Sequence, residues 1–329
     1  MLALVLVVTG CSSKLTDPTP ATIEPATAAV SPSPAQAPAG EVLAVGGLHT
    51  AALFDPVTSS LVVFTPGADP QAPATVTIVG PGGGTRPVEL DGAATAIAGN
   101  GRGVAYAATR GGFNSVDLTT GTVTATTIDG EANTDFTAIA RRADGSMVLG
   151  SAGGAIVIVD YERAVTNKTE IFARVDAIVI EDDTAVVLDR GQTSVTALNE
   201  QGAALQALRA GIGATTIAAD SAGRVLVVDT RGGQLLVFSV DPLIQRQGYP
   251  VSGTPYGIVG SQTLIWVSET ASNAVVGYDL STGIPVEKMR YPTVQQPNSL
   301  AFDEGTGTLY VISGSGDGIQ VIRNAAGAT

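Results

Sequence analysis

The chain has 329 residues and a formal net charge of −13, from 30 acidic and 17 basic side chains. This balance argues against sequence-independent nucleic-acid binding, which needs a basic surface, and against docking on anionic lipid through the protein surface. Apolar residues make up 44% of the chain and charged residues 14%, so a large core is available, and the single cysteine excludes an intrachain disulfide.

The N-terminus combines a short apolar run with the single cysteine of the chain. Residues 2–8 are apolar but too few to cross a bilayer, and small residues then precede Cys11. This arrangement resembles the lipobox of bacterial lipoproteins, in which the cysteine is acylated and becomes the new N-terminus. Palmitate is among the acyl groups that we expect on Cys11. The usual basic residues are missing from the leader, which a start codon assigned too far downstream would explain. The alternative is a truncated leader with an incidental free cysteine.

We therefore predict a signal peptide over residues 1–10 and a location in the cell membrane, lipid-anchored through Cys11 on the extracytoplasmic face. Residues 12–40 follow, where six prolines lie among Ala, Thr and Ser. Such a composition buries too little apolar surface to fold and favours extended, partly polyproline conformations. Residues 11–40 are thus predicted to be the lipidated cysteine and a disordered linker.

A repeat of about forty residues occupies the rest of the chain. Each copy begins with a short apolar strand, followed about eight residues later by a second apolar run and, after a tight turn, by a third. The central residues of the first strands are Leu53, Ile97, Ile139, Ile178, Ile217, Ile258 and Leu300. This pattern predicts radially repeated β-sheets, because one four-stranded sheet cannot bury both of its faces alone.

The last copy ends after its third strand, near Arg323, and the segment 41–45 is the one strand-like stretch without a place in a copy. Pairing this segment into the last copy would close the ring and remove an open sheet edge. The sequence therefore predicts an all-β fold over residues 41–329. This fold is a seven-bladed β-propeller of four-stranded antiparallel blades, the last closed by the N-terminal strand.

Candidate binding residues follow from this register, because propellers bind at the mouth of the central channel. The loops that lead into first strands hold His49, Asp135, Arg174, Asp176, Tyr256 and Asn298. The loops between second and third strands hold Arg110, Arg190, Arg231 and Glu269. Four arginines on one face of an acidic protein point to an anionic ligand or a carboxylate-bearing partner.

Simpler roles are open for each of these residues. An arginine beside a glycine turn commonly pairs with a neighbouring aspartate, a lone histidine is commonly solvated or hydrogen-bonded, and Asp135 and Asp176 suit loop capping better than a metal pair. The metalloprotease, phosphate-loop and nucleophile-elbow motifs are absent from the sequence. We therefore predict no catalytic residue, no metal and no cofactor.

A family resemblance appears in the C-terminal half, at residues 252–258, 264–267, 274–283 and 309–312. These segments resemble the repeats of the seven-bladed YVTN/lactonase-like superfamily, which implies the fold. The whole chain, with its lipobox, its Pro/Ala linker and residues 135–142, is similar to propeller lipoproteins of the actinobacterial, mycobacterial-type envelope. Lactonases of the superfamily use acidic and histidine residues at the channel mouth, and this chain has no matching set.

Two functions follow as hypotheses. The first is a non-enzymatic, monomeric binding or scaffolding module that presents the propeller face to an envelope protein or a small anionic ligand, with no nucleic-acid partner. The alternative is a lactonase-like hydrolase at the channel mouth, using His49 with Asp135 or Asp176.

Overall fold

The computed structural model describes residues 21–162 and 164–327. In this part of the chain the regular structure is entirely β, apart from one 3-10 turn at Thr270–Ser272. No helix in the described ranges is long and apolar enough to span a membrane.

The strands form seven sheets of four, and in six of these sheets all four strands follow one another along the chain. Blade one consists of β2(Ala51–Asp55), β3(Ser60–Thr65), β4(Thr75–Val79) and β5(Thr85–Glu89). Blade two consists of β6(Ala94–Gly99), β7(Val104–Thr109), β8(Gly112–Asp117) and β9(Val123–Thr127). Blade three consists of β10(Phe136–Arg141), β11(Met147–Ser151), β12(Ala155–Val159) and β13(Val165–Glu170). Blade four consists of β14(Ala177–Glu181), β15(Thr184–Asp189), β16(Ser194–Leu198) and β17(Ala204–Arg209). Blade five consists of β18(Ala214–Ala219), β19(Arg224–Asp229), β20(Gln234–Val240) and β21(Leu243–Pro250). Blade six consists of β22(Pro255–Gly260), β23(Ile265–Glu269), β24(Ala274–Asp279) and β25(Val286–Pro292).

Blade seven combines both ends of the chain. Its first three strands are β26(Pro297–Asp303), β27(Thr308–Ser313) and β28(Ile319–Ile322), and its outer strand is β1(Glu41–Leu43), which pairs antiparallel with β28. The predicted closure of the ring by the N-terminal strand is therefore confirmed. The seven repeat positions identified in the sequence all lie in first strands and pair with the second strand of the same blade.

The core is divided among the junctions between blades. Seven clusters of buried apolar side chains occur, and each joins two neighbouring blades. The cluster around Leu61, Val63, Ile312 and Ile319 joins blade seven to blade one, so the junction at closure is packed like the others. Burial of both faces of the sheets agrees with the near-continuous runs of Val, Ile, Leu and Ala in the inner strands, such as those of β12 and β19, in which successive side chains point to opposite faces and are all buried.

Two glycines allow the short β1 to approach β28. Gly40 has a φ of 74°, and a Cβ placed on it would lie 2.3 Å from the carbonyl oxygen of Val321. Gly318 has a φ of 96°, and its Cβ would lie 2.3 Å from the carbonyl oxygen of Leu43. Both positions combine a left-handed backbone with close approach to a carbonyl, which glycine alone tolerates without strain.

We expect Gly40→Ala to destabilise the ring by at least about 2 kcal/mol, because a left-handed backbone and a steric clash both oppose the new Cβ. Gly82→Ala is the matched control, since nothing lies within 4 Å of a Cβ at Gly82. Denaturant unfolding of both variants measures the difference, and equal midpoints would show that closure does not depend on this contact.

Candidate functional site

The candidate site lies on the top face, which we define as the end of the ring formed by the loops into the first strands and the loops between second and third strands. Residues 21–40, named here the strap, lie across this face. Where the sequence predicts a disordered linker, the described part of that linker has a defined path over blades four to seven. Polar side chains of the ring hold it, an interaction that composition does not reveal.

The first half of the strap contacts blades four and five. The backbone N–H of Ile23 donates to the carbonyl oxygen of Gly191 over 2.7 Å. Arg231 donates through Nη2 to the carbonyl oxygen of Glu24 over 2.8 Å, and Arg190 donates through Nη2 to the carbonyl oxygen of Ala26. Two of the four arginines predicted to bind an anion are therefore engaged with main-chain carbonyls.

The second half of the strap contacts blades six and seven. Gln296 donates through Nε2 to the carbonyl oxygen of Ala29 over 2.8 Å, and Gln295 donates to that of Ser31 over 2.9 Å. Asn273 donates through Nδ2 to the carbonyl oxygen of Pro32 over 2.7 Å. These three amide side chains were not among the residues nominated from the sequence.

Ser31 is the polar side chain through which the strap itself reaches the ring. It is buried, and its hydroxyl donates to the carbonyl oxygen of Thr270 over 2.6 Å. Ser31 Oγ accepts from the backbone N–H of Gln296 over 3.0 Å, and the Ser31 N–H donates to Gln296 Oε1 over 3.0 Å. Ser31 and Gln296 therefore bind each other twice.

The other two nominated arginines form ion pairs. Arg110 Nη1 lies 2.8 Å from Asp135 Oδ1, with both side chains about 60% exposed. Arg174 donates through Nε and Nη2 to Asp176, whose second oxygen also accepts the backbone N–H of Arg190 over 2.8 Å. Exposed pairs are weak, so of the four arginines Arg110 is the one most open to a ligand.

The two nominated aspartates thus serve different arginines in different blades. In residues 21–162 and 164–327, no three acidic, histidine or cysteine side chains come together as a metal site would require.

Glu269 lies at the end of β23 and is buried. Its carboxylate accepts two hydrogen bonds from Arg290, at 2.8 and 3.2 Å, and a third from Ser272 at 2.9 Å. Arg290 also binds Glu287, and these two carboxylates together raise the pKa of its guanidinium. Glu269 is therefore part of a structural charge network, and Arg290 and Glu287 are members that the sequence did not point to.

Tyr256 and Asn298 occupy equivalent positions in blades six and seven. In five of the seven blades the first strand carries a β-bulge directly after its first residue, and both residues lie at such bulges. A bulge re-aims a side chain. Asn298 Oδ1 accepts from Gln296 Nε2 over 3.0 Å, so Asn298 orients the amide that binds the strap, while the Tyr256 carbonyl accepts from Thr216 in blade five.

His49 is buried in the loop before β2. Its Nδ1 lies 2.8 Å from Thr65 Oγ1 and its Nε2 lies 3.4 Å from the carbonyl oxygen of Val45. Burial lowers the pKa of the imidazole, and the Val45 carbonyl opposes this shift. Neither Asp135 nor Asp176 is a hydrogen-bond partner of the imidazole, so these contacts do not assemble the predicted His–Asp pair.

The sequence matches no protein-family model and no curated protein. The fold, however, is similar to solved structures. A streptogramin B lyase matches at 11% identity and a TM-score of 0.71, covering 86% of this chain and 97% of the lyase. The WD40 repeats of RRP9 match at 12% identity and a TM-score of 0.71, covering 89% and 99%. A chain of the mitotic checkpoint complex matches at 10% identity and a TM-score of 0.69, covering 98% of each.

Similarity at such low identity concerns the fold alone. Together with the closed ring of seven four-stranded sheets, this similarity defines the chain as a seven-bladed β-propeller. The resemblance to actinobacterial envelope lipoproteins stays a prediction, and Cys11 and the leader lie outside the described residues.

The buried histidine leads to a prediction of pH dependence. Because the pKa of His49 is lower in the folded chain than in the unfolded chain, stability is complete above the unfolded value of about 6.5 and falls below it. The loss is at most about 1.4 kcal/mol per pH unit. We expect His49→Gln to unfold with a shallower pH dependence between pH 7 and 5.5, and denaturant unfolding at several pH values measures it. Identical slopes would show that His49 does not titrate on unfolding.

Proposed function

We propose that this protein is a membrane-tethered, monomeric binding module whose top face receives an envelope protein. The observation that carries the proposal is that the top face binds an extended segment of the chain itself. Ring side chains there donate to the main chain of an extended peptide segment, from Glu24 through Pro32. A face built in this way is suited to protein ligands, because every polypeptide offers the same carbonyl acceptors.

A small anion is the less favoured ligand. Arg190 and Arg231 already donate to strap carbonyls, and Arg174 is paired with a partly buried aspartate. Arg110 alone is held only by an exposed partner. The hydrolase hypothesis has less support still, because the hydrogen-bond partners of His49 are Thr65 and Val45.

Other propellers lend analogy to the protein-binding role. The WD40 repeats of RRP9 and the propeller chain of the mitotic checkpoint complex share this fold, and the latter acts within a protein assembly. This analogy rests on the fold and does not identify a partner.

We propose lipid attachment through Cys11 on the basis of the lipobox-like leader. Two or more acyl chains give stable anchoring where one chain is marginal. In cells expressing the Cys11→Ala variant we expect the protein to move from the membrane fraction to the soluble fraction, and Ser12→Ala is the control. Metabolic labelling with a fatty-acid analogue should mark the wild-type chain and not the variant. Retention of Cys11→Ala in the membrane fraction, or an unlabelled wild-type chain, would contradict the proposal.

The binding face can be tested with photo-crosslinking residues at two exposed apolar positions of blade one. Leu48, 63% exposed, lies in a top-face loop, and Val57, 68% exposed, lies in the β2–β3 hairpin on the opposite face. We expect a discrete crosslinked partner in intact envelope from position 48 and none from position 57. Crosslinking from position 57 alone would place the partner on the other face and overturn the proposal.

A further inference from the structure

The way in which the strap is held points to a general mode of peptide recognition. Five ring side chains donate to five strap carbonyls, those of Glu24, Ala26, Ala29, Ser31 and Pro32, and each donor is an arginine or a side-chain amide. Carbonyls are present at every residue, including those before proline. The ring therefore reads an extended backbone, and most of the strap side chains are irrelevant to its binding.

Only two strap side chains are buried, and they supply sequence preference. Ala26 packs closely on the ring: a Cβ placed on Gly213 would lie 3.1 Å from the Cβ of Ala26. Ser31 makes the hydroxyl contacts with Thr270 and Gln296 described above. The preferred peptide thus has a small residue followed, five positions later, by a serine.

The strap buries little apolar surface in spite of these hydrogen bonds. Every other strap residue is at least partly exposed, and Val30 is 90% exposed. A space of about 510 Å³ lies between residues 24–29 and the loop residues Thr230, Arg231 and Thr254. With little apolar surface buried, opening of the strap costs little compared with unfolding of a blade.

We propose that the strap is an intramolecular occupant of a peptide-binding groove over blades four to seven, and that an extended, proline-containing segment of the partner replaces it. The covalent link gives the strap a millimolar effective concentration, so a free peptide competes poorly until the strap is weakened. This inference rests on the proposed function and names the chemistry of the partner.

The test uses the purified full chain and a fluorescent peptide of residues 21–34, with binding followed by anisotropy. Ala26→Glu places a charge at the buried strap position, and Thr27→Glu places the same charge at the exposed neighbour. We expect the Ala26→Glu protein to bind the peptide at least tenfold more tightly than the wild type, and Thr27→Glu to bind like the wild type. The inference is overturned if Ala26→Glu gives no gain.

A ring-side variant shows whether the peptide occupies the same groove. Gln296 has a φ of 55°, so Gln296→Gly removes the amide without straining the backbone. Added to Ala26→Glu, it should weaken peptide binding at least tenfold, whereas Gln262→Gly, on the opposite face, should not. Binding that is indifferent to Gln296 would refute the groove.

Hydrogen exchange of the wild-type chain provides a measurement that needs no variant. The Ser31 amide should exchange at least 100-fold faster than that of Val227 in the second strand of blade five, because strap opening does not require unfolding. Equal protection of the two amides would mean that the strap opens only with the ring, and the inference would fail. A crosslink from position 48 that persists alongside such a failure leaves the proposed function standing and directs attention to blades one to three.

Discussion

The pairing of β1 with β28 is the constraint on which the rest of the structure depends. Three residues from near the N-terminus complete the last blade, and this pairing gives each of the seven sheets two neighbours. Leu43 of β1 also packs against the apolar cluster between blades seven and one, so the closing strand contributes to that junction directly. Because each sheet has two apolar faces, a ring that stays open would expose two of them to water.

Closure also determines where the strap lies. The strap directly precedes β1, and Ala39 is hydrogen-bonded to Pro292 of blade six and to Gln320 of blade seven. The preceding residues are therefore delivered to the top face at blades six and seven, from which they continue over blades five and four. The same covalent continuity that completes the fold places an extended peptide on its candidate binding surface.

That surface shows how far sequence reasoning reaches. The repeat positions, the blade number and the face carrying Arg110, Arg190 and Arg231 followed from spacing, because strands of fixed length and hairpins with glycine turns leave one register. Asn298 was nominated from the same register and lies beside the strap-binding amide. Gln295 and Gln296 precede it in the same loop, so the strand register correctly indicated this loop as part of the top face. The two glutamines themselves were not predicted, because neutral amides carry no distinctive signal in a sequence.

Composition predicts a linker here because the residues of the strap bury little apolar surface. What holds them is the complementary arrangement of donors on separate blades, which no local pattern encodes. Two ion pairs are more local: Arg174 pairs with Asp176 two residues further along the same loop, and Glu269 pairs with Arg290 on another strand of blade six. Such pairs neutralise residues that look available for ligands when seen only along the chain.

The sequence by itself determined the number of blades, the closing strand and the absence of a recognisable catalytic motif, because hydrophobic periodicity and turn chemistry are local properties. Only the tertiary structure decided what the polar side chains of the top face do. Their partners lie as far apart in sequence as Glu24 and Arg231, or Pro32 and Asn273. A hydrogen bond depends on the distance between donor and acceptor in the closed ring, and this distance cannot be obtained from the order of residues along the chain.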